Sequence, residues 1–260
     1  MMTNSDFINM LRSYRRQDIP LIELAAKTID DILLQQSSHN VLKHADFQTV
    51  DAEDSVFQLC GILHRLSADF VPVIDPDEGN LVSILGYLDL VHLLHEASRQ
   101  YPQFFSATIQ QLGIGTFTDV VTAPHTALLF DVIELIEDRN LSGIPVTNEL
   151  GQVVGLYHKS DVSFITKAVD PDSAILSLHT LQVGEALRMQ QMRIDETGSI
   201  LSEQTLCTCS FTDALSTVLD TMMRAQVTRV ICVDGSGRCQ GVVSIRDIVL
   251  YYFDYNASGR

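Results

Sequence analysis

Gly143-Ile-Pro-Val-Thr-Asn-Glu-Leu-Gly151 decides the fold, because the chain writes it three times. The other copies are Phe70-Val-Pro-Val-Ile-Asp-Pro-Asp-Glu-Gly79 and Arg229-Val-Ile-Cys-Val-Asp-Gly-Ser-Gly237. Each is a short β-branched run closed by an Asp/Asn/Gly-rich turn, which is how a strand enters a hairpin. A second apolar run comes after each turn, at Leu81–Leu85, Val153–Tyr157 and Gln240–Ile245. An acidic residue then opens a helical pattern, at Asp89, Asp161 and Asp247.

Amphipathic stretches precede the first strands, at Glu53–Leu66, Thr126–Asn140 and Thr212–Gln226. In the middle one Leu129, Val132, Ile133 and Ile136 recur at helical spacing. Each unit therefore reads helix, strand, turn, strand, helix. Asp89 and Asp161 stand 72 residues apart, Asp161 and Asp247 86. Ser5-Asp-Phe-Ile-Asn-Met-Leu11 reads as the tail of a further copy, with Asp6 83 residues before Asp89. Units this small bury little core alone, so they are expected to pair. The expected division is 1–45 (remnant of a first unit and linker helix), 46–111, 112–182 and 183–260.

Composition narrows the function. With 17 basic and 33 acidic residues the formal charge of the 260-residue chain is −16. Such a balance disfavours non-specific nucleic-acid binding and adsorption to anionic lipid. Hydrophobic residues at 46% and charged residues at 19% describe a globular chain. Five cysteines do not make a disulfide scaffold at this length. No run approaches the ~20 apolar residues of a membrane span.

The strand–strand–helix tail with its closing Asp resembles the CBS motif (cystathionine β-synthase domain), which packs in pairs as a Bateman module. The chain also resembles the γ subunits of AMP-activated protein kinase. The passages that carry this are Ser5–Leu11, Ile74-Asp-Pro-Asp-Glu-Gly-Asn80, Leu112-Gly-Ile-Gly-Thr-Phe117, Ser142-Gly-Ile-Pro-Val146, Lys159-Ser-Asp-Val162 and Val242-Val-Ser-Ile-Arg-Asp-Ile248. The resemblance implies an α/β (α+β) fold of tandem CBS motifs, one Bateman module complete and one truncated, with most of the first motif missing. By sequence order the third and fourth motifs, about 112–256, would form the complete pair. The second, lacking its mate, would leave the apolar face of 53–66 partly uncovered, and residues 1–45 would be the least stable part.

The resemblance further implies a regulatory subunit that binds AMP, ADP or ATP as ligands and has no cofactor. Its partners would be a catalytic α and a scaffolding β subunit, its compartment the cytoplasm, with the nucleus as a second. One nucleotide site would use Thr116, Val121, Ser142 and Gly143 with Ser244, Ile245, Arg246 and Asp247. A companion site would use His158, Lys159, Ser160 and Asp161 with Thr228 and Arg229. Asp6, Asp89, Asp161 and Asp247 would hold ribose hydroxyls, since an ionised carboxylate accepts two hydrogen bonds from a vicinal diol. From the residues alone each Asp reads first as a helix cap.

At the phosphate contacts the chain departs from the family. A His-Arg pair is usual before the first strands of the second and fourth motifs; here stand Asp69-Phe70 and Thr228-Arg229. Arg139, Arg188 and Arg193 are the remaining candidate cations. This depletion keeps open an alternative: a γ-like structural scaffold whose nucleotide sensing is weakened or lost. Catalytic motifs are poor: Gly113-Ile-Gly115 lacks a third glycine, no Walker loop or nucleophile elbow occurs, and Cys207-Thr-Cys209 reads as strand, not as zinc ligands. The expectation is a non-enzyme.

Overall fold

The computed structural model describes residues 7–12, 28, 48–66, 70–162, 178, 180–189 and 206–257, with side chains of the last helix described to Tyr252. In chain order these form helix α1 (residues 7–12), β1 (Val50–Asp51), α2 (Val56–Leu66), β2 (Phe70–Ile74), β3 (Leu81–Gly86) and α3 (Tyr87–Gln100). Next come α4 (Ile109–Leu112), β4 (Ala123–Pro124), α5 (Leu129–Asp138), β5 (Gly143–Thr147), β6 (Val153–His158) and α6 (residues 183–189). The last repeat holds β7 (Thr208–Cys209), α7 (Leu215–Ala225), β8 (Arg229–Val233), β9 (Cys239–Ser244) and α8 (Ile245–Ala257).

The three repeats fold alike, each as a three-stranded sheet in the order first, second, third strand. The first strand runs parallel to the second and the third antiparallel to it. The hairpins are where the sequence places them, and their cause is local. Asp75, Asn148 and Asp234 each use a side-chain oxygen to accept backbone N–H groups of the turn, the role in which Asp and Asn excel. Each turn then needs a left-handed residue, supplied by Gly79 (φ 68°), Gly151 (φ 76°) and Gly237 (φ 81°). The exposed Asp234 carboxyl is held below its ordinary range by the hydroxyl and N–H of Ser236 and the N–H of Arg238.

Three local features differ from expectation. Helices α2, α5 and α7 begin three residues later than expected, after turns such as the one where Ser55 and Gln58 exchange hydrogen bonds. Ile245 opens α8 and does not close β9. The two-residue strands β1 and β4 were not expected, because two residues carry no alternation to read, whereas β7 lies within Cys207-Thr-Cys209, which reads as strand.

Grouping is the larger correction. The chain forms two compact units, one of 1–44 and 121–199, the other of 45–120 and 200–260. Sequence neighbours therefore do not share a unit: the second repeat shares one with the fourth, and the third shares one with the N-terminal segment. In the first unit Ile8 and Leu11 of α1 lie in one core with Leu129, Ile133 and Ile136 of α5, Ile144 and Tyr157, and Arg12 pairs with Asp138. In the second, α3 packs on α7 and α8 on α2 and α3. Its core joins Leu59, Leu63 and Val91 to Leu215, Leu219, Val230 and Ile248, and His95 Nε2 lies 2.6 Å from Asp220 Oδ1. The physical reason is that helix faces, which carry most of the apolar area, choose the partner; chain order does not constrain them. Leu59 and Leu63 of α2 are buried in the core shared with the fourth repeat, so the second repeat does not lack a mate; only the start of the helix, Val56 and Phe57, is about half exposed. The expectation that 1–45 is the least stable part falls largely outside the described residues.

Leu219→Ala should lower the stability of the second unit by about 2–5 kcal/mol in urea unfolding. Amide exchange should rise in α3 of the second repeat together with α7 of the fourth. The thiols of Cys209 and Cys232, side by side on β7 and β8, are pushed up by burial. Ellman's reagent at neutral pH should leave both unmodified until the chain is unfolded.

Candidate functional site

In the third and fourth repeats the end of the hairpin brings together the same six positions: the residue before the second strand, that strand's first residue, and four from the end of the third strand into the following turn or helix; the last five are described in the second repeat as well. In the fourth repeat Arg229 is the ladder partner of Ser244, and Ile245 N–H donates to the Thr228 carbonyl at 2.7 Å. Asp247, the third residue of α8, accepts from Ser244 N–H at 2.8 Å and Ser244 Oγ–H at 2.7 Å. Asp247 N–H points back to Ser244 Oγ at 3.2 Å. This is a reciprocal capping box that locks helix to strand. Thr116, in the same unit, bridges to Val242, two residues before Ser244.

The third repeat builds the same rim from Ser142, Gly143 and His158–Asp161. Gly143 is the ladder partner of His158, and Lys159 N–H donates to the Ser142 carbonyl at 2.9 Å. Asp161, 7% exposed, accepts from His158 N–H at 2.8 Å. Residues 159–162 wind as a short 3-10 turn. Lys159 Nζ lies 2.7 Å from Glu137 Oε2, so its charge is already balanced within the repeat. The Tyr157 hydroxyl is fully buried, and burial with the charge of Asp161 pushes its pKa well up. Val121 lies half-buried at the entry to the same repeat.

The second repeat has the frame without the cations. Phe70 is the ladder partner of Gly86, and Asp89 accepts from Gly86 N–H at 2.8 Å. Between Gly86 and Asp89 stand Tyr87 and Leu88. Asp89 and Asp247 make these hydrogen bonds through Oδ2, which leaves Oδ1 of each for a hydroxyl. Asp6 lies outside the described residues.

The expected residues divide between the two units. Val121, Ser142, Gly143 and His158–Asp161 belong to the first unit. Thr116, Thr228, Arg229, Ser244–Asp247 and Asp89 belong to the second. Each Asp is a third helical or turn residue that accepts from the residue three before it, so the cap reading is refined: Asp supports the N-cap and is not the N-cap itself. Sequence reasoning missed Glu137, whose (i+22) relation to Lys159 has no local signal. The groove lined by Val56, Phe57, Leu93 and Tyr252 contains no cation and does not suit a nucleotide. Among the described residues no three His, Cys, Asp or Glu side chains gather as metal ligands, and no helix is long and apolar enough to cross a membrane.

Comparison with known proteins gives the same repeats. The CBS-domain model matches residues 40–96, 114–165 and 201–254, together more than half of the chain. The human AMP-activated protein kinase subunit γ-3 is 33% identical over 257 residues, 96% of this chain and 48% of that one. The Dictyostelium discoideum γ subunit of that kinase is 28% identical over 264 residues, 96% of this chain and 42% of its own length. The chain spans about half the length of the curated relatives it matches. Among solved structures, a Methanocaldococcus jannaschii protein described as an archaeal homologue of the kinase γ subunit superposes with TM-score 0.66, covering 96% of this chain and 82% of its own at 16% identity. At that identity the likeness is one of fold.

Asp247→Ala should cost the second unit about 1 kcal/mol, seen as a lower thermal midpoint. Asp247→Asn keeps a carbonyl oxygen for the Ser244 N–H and should recover most of that loss.

Proposed function

The chain belongs to the CBS-domain family, and from that premise we propose that it is a regulatory, non-catalytic subunit of the AMP-activated-kinase γ type. It binds adenine nucleotides at the hairpin-end rims and passes their occupancy to a kinase catalytic subunit, held with a scaffolding subunit in a heterotrimer. The observation that carries this reading is the rim of the fourth repeat. A carboxylate with a spare oxygen, two hydroxyls (Thr228 and Ser244) and two arginines (Arg229 and Arg246) stand around one strand end. A diol needs the first, an adenine edge suits the hydroxyls and strand-end backbone, and phosphates need the cations. The chain's overall acidity opposes any anion, so the local arginines must supply the attraction.

Charge sets a ranking among the repeats. The fourth carries two arginines, the third one lysine, whose Nζ lies 2.7 Å from Glu137 Oε2, and the second no cation at these positions. AMP, ADP and ATP differ chiefly in charge, so discrimination among them falls to Arg229 and Arg246. A ligand that favours one arrangement of the repeats shifts the population toward it. The scaffold alternative draws on the second repeat, where Phe70, Tyr87 and Leu88 stand at positions that elsewhere hold Arg229, Ile245 and Arg246.

Isothermal titration of the chain with AMP tests the reading. Saturable binding is expected, weakened at least tenfold, or about 1.4 kcal/mol, by Asp247→Asn and by Arg229→Ala. Asp89→Asn should leave it unchanged. No binding to chain that unfolds cooperatively would favour the scaffold.

A further inference from the structure

We infer that the outer edge of β3 is a docking site for an extended segment of a partner protein, which adds to the sheet as a fourth strand. The inference is independent of nucleotide binding and comes from comparing the three hairpins at one register. In every sheet the third strand is one of the two edge strands. Val242 of β9, Leu156 of β6 and Ile84 of β3 occupy one position, as their ladder partners Ile231, Pro145 and Pro72 establish. Gly241, Gly155 and Ser83 occupy the position before it.

In the fourth repeat that edge is taken. Thr116 N–H donates to the Val242 carbonyl at 2.9 Å, and Val242 N–H donates to the Thr116 carbonyl at 3.0 Å. The Phe117 ring lies on Gly241 so closely that a Cβ there would come 2.1 Å from Cδ1. In the third repeat Leu187 of α6 lies on Gly155, where a Cβ would come 2.5 Å from its Cδ1. In the second repeat Leu81, Val82 and Ile84 are 61%, 59% and 54% exposed. Three large apolar side chains in four residues of an edge strand form the kind of surface that soluble proteins normally cover or charge. Pro72, opposite Ile84, has no N–H to give, so the edge-facing N–H and C=O of Ile84 match those that Val242 gives to Thr116.

The sister edge also states the occupant's chemistry. It is an extended segment with a β-branched residue at the Thr116 position, bonded to Ile84 through its backbone, the strand-addition mode of recognition. The next residue must be smaller than a phenyl ring, because Ser83 carries the Cβ that Gly241 lacks. The turn beside β3 exposes Asp77 and Glu78, so a basic residue flanking the segment is favoured.

A labelled peptide of residues 112–121 of this chain, carrying Phe117→Val and Asp119→Lys, is titrated with the full chain by fluorescence anisotropy. Saturable binding is expected, with Ile84→Pro weakening it at least tenfold because proline removes the edge N–H. Should Ile84→Pro fail to unfold cooperatively, Ser83→Arg, which places a charged side chain on the seat, reads the same loss. Absence of saturation at millimolar peptide overturns the proposal, as does equal binding to either variant, which would put the peptide elsewhere. A stable dimer by light scattering with β3 amides protected from exchange would also overturn it, in favour of a second copy of the chain.

Discussion

One hydrogen bond ties each hairpin to the helix or turn after it: a carboxylate three residues on accepts the N–H of the last strand residue. Gly86 with Asp89, His158 with Asp161 and Ser244 with Asp247 share it at 2.8 Å. It stops the strand, starts the helix or turn, and satisfies a backbone donor that neither element could pair. Because the strand end is fixed, the residue beside it on the neighbouring strand is fixed too. That places Phe70, Gly143 and Arg229 at one geometrical position in three repeats. The capping contact and the candidate ligand contact are therefore not rivals, since one oxygen of Asp89 or Asp247 serves each.

On this common frame the repeats have diverged by charge. Arg229 in the fourth, Gly143 in the third and Phe70 in the second give three rims that differ in what they offer a phosphate. Lys159 could have restored the third, but Glu137 at 2.7 Å holds it inside the repeat.

The sheets raise a second constraint. A three-stranded sheet has two edges, and the repeats deal differently with the one formed by the third strand. Thr116 and Phe117 close β9, Leu187 covers β6, and β3 keeps its apolar residues in solvent. Glycine at 155 and 241 records the close approach of the covering side chain, whereas Ser83, at the same register of β3, is exposed. Net negative charge on the chain opposes self-association through such a surface.

Much of this was legible locally. The Asp, Asn and Gly of each turn, the β-branched runs and the 3.6-residue spacing of Leu129, Val132, Ile133 and Ile136 come from contacts within a few residues, and the three copies reinforced one another. The CBS resemblance named candidate residues, and the described ones of the third and fourth repeats stand at equivalent strand ends. The two-residue strands β1 and β4 were hidden because they carry no period. The Lys159–Glu137 pair was hidden because it joins residues 22 apart in sequence. The grouping of the second repeat with the fourth was hidden for a deeper reason: Leu63, Val91, Leu219 and Ile248 are interchangeable apolar residues, and their pattern says that a face is buried, not against what. Sequence by itself determined the repeated unit, its turns and its capped strand ends, because those are short-range chemistry. Only the tertiary structure decided which units share a core, which cation is balanced within its own repeat and which sheet edge stays open, because those depend on contacts between segments far apart in the chain.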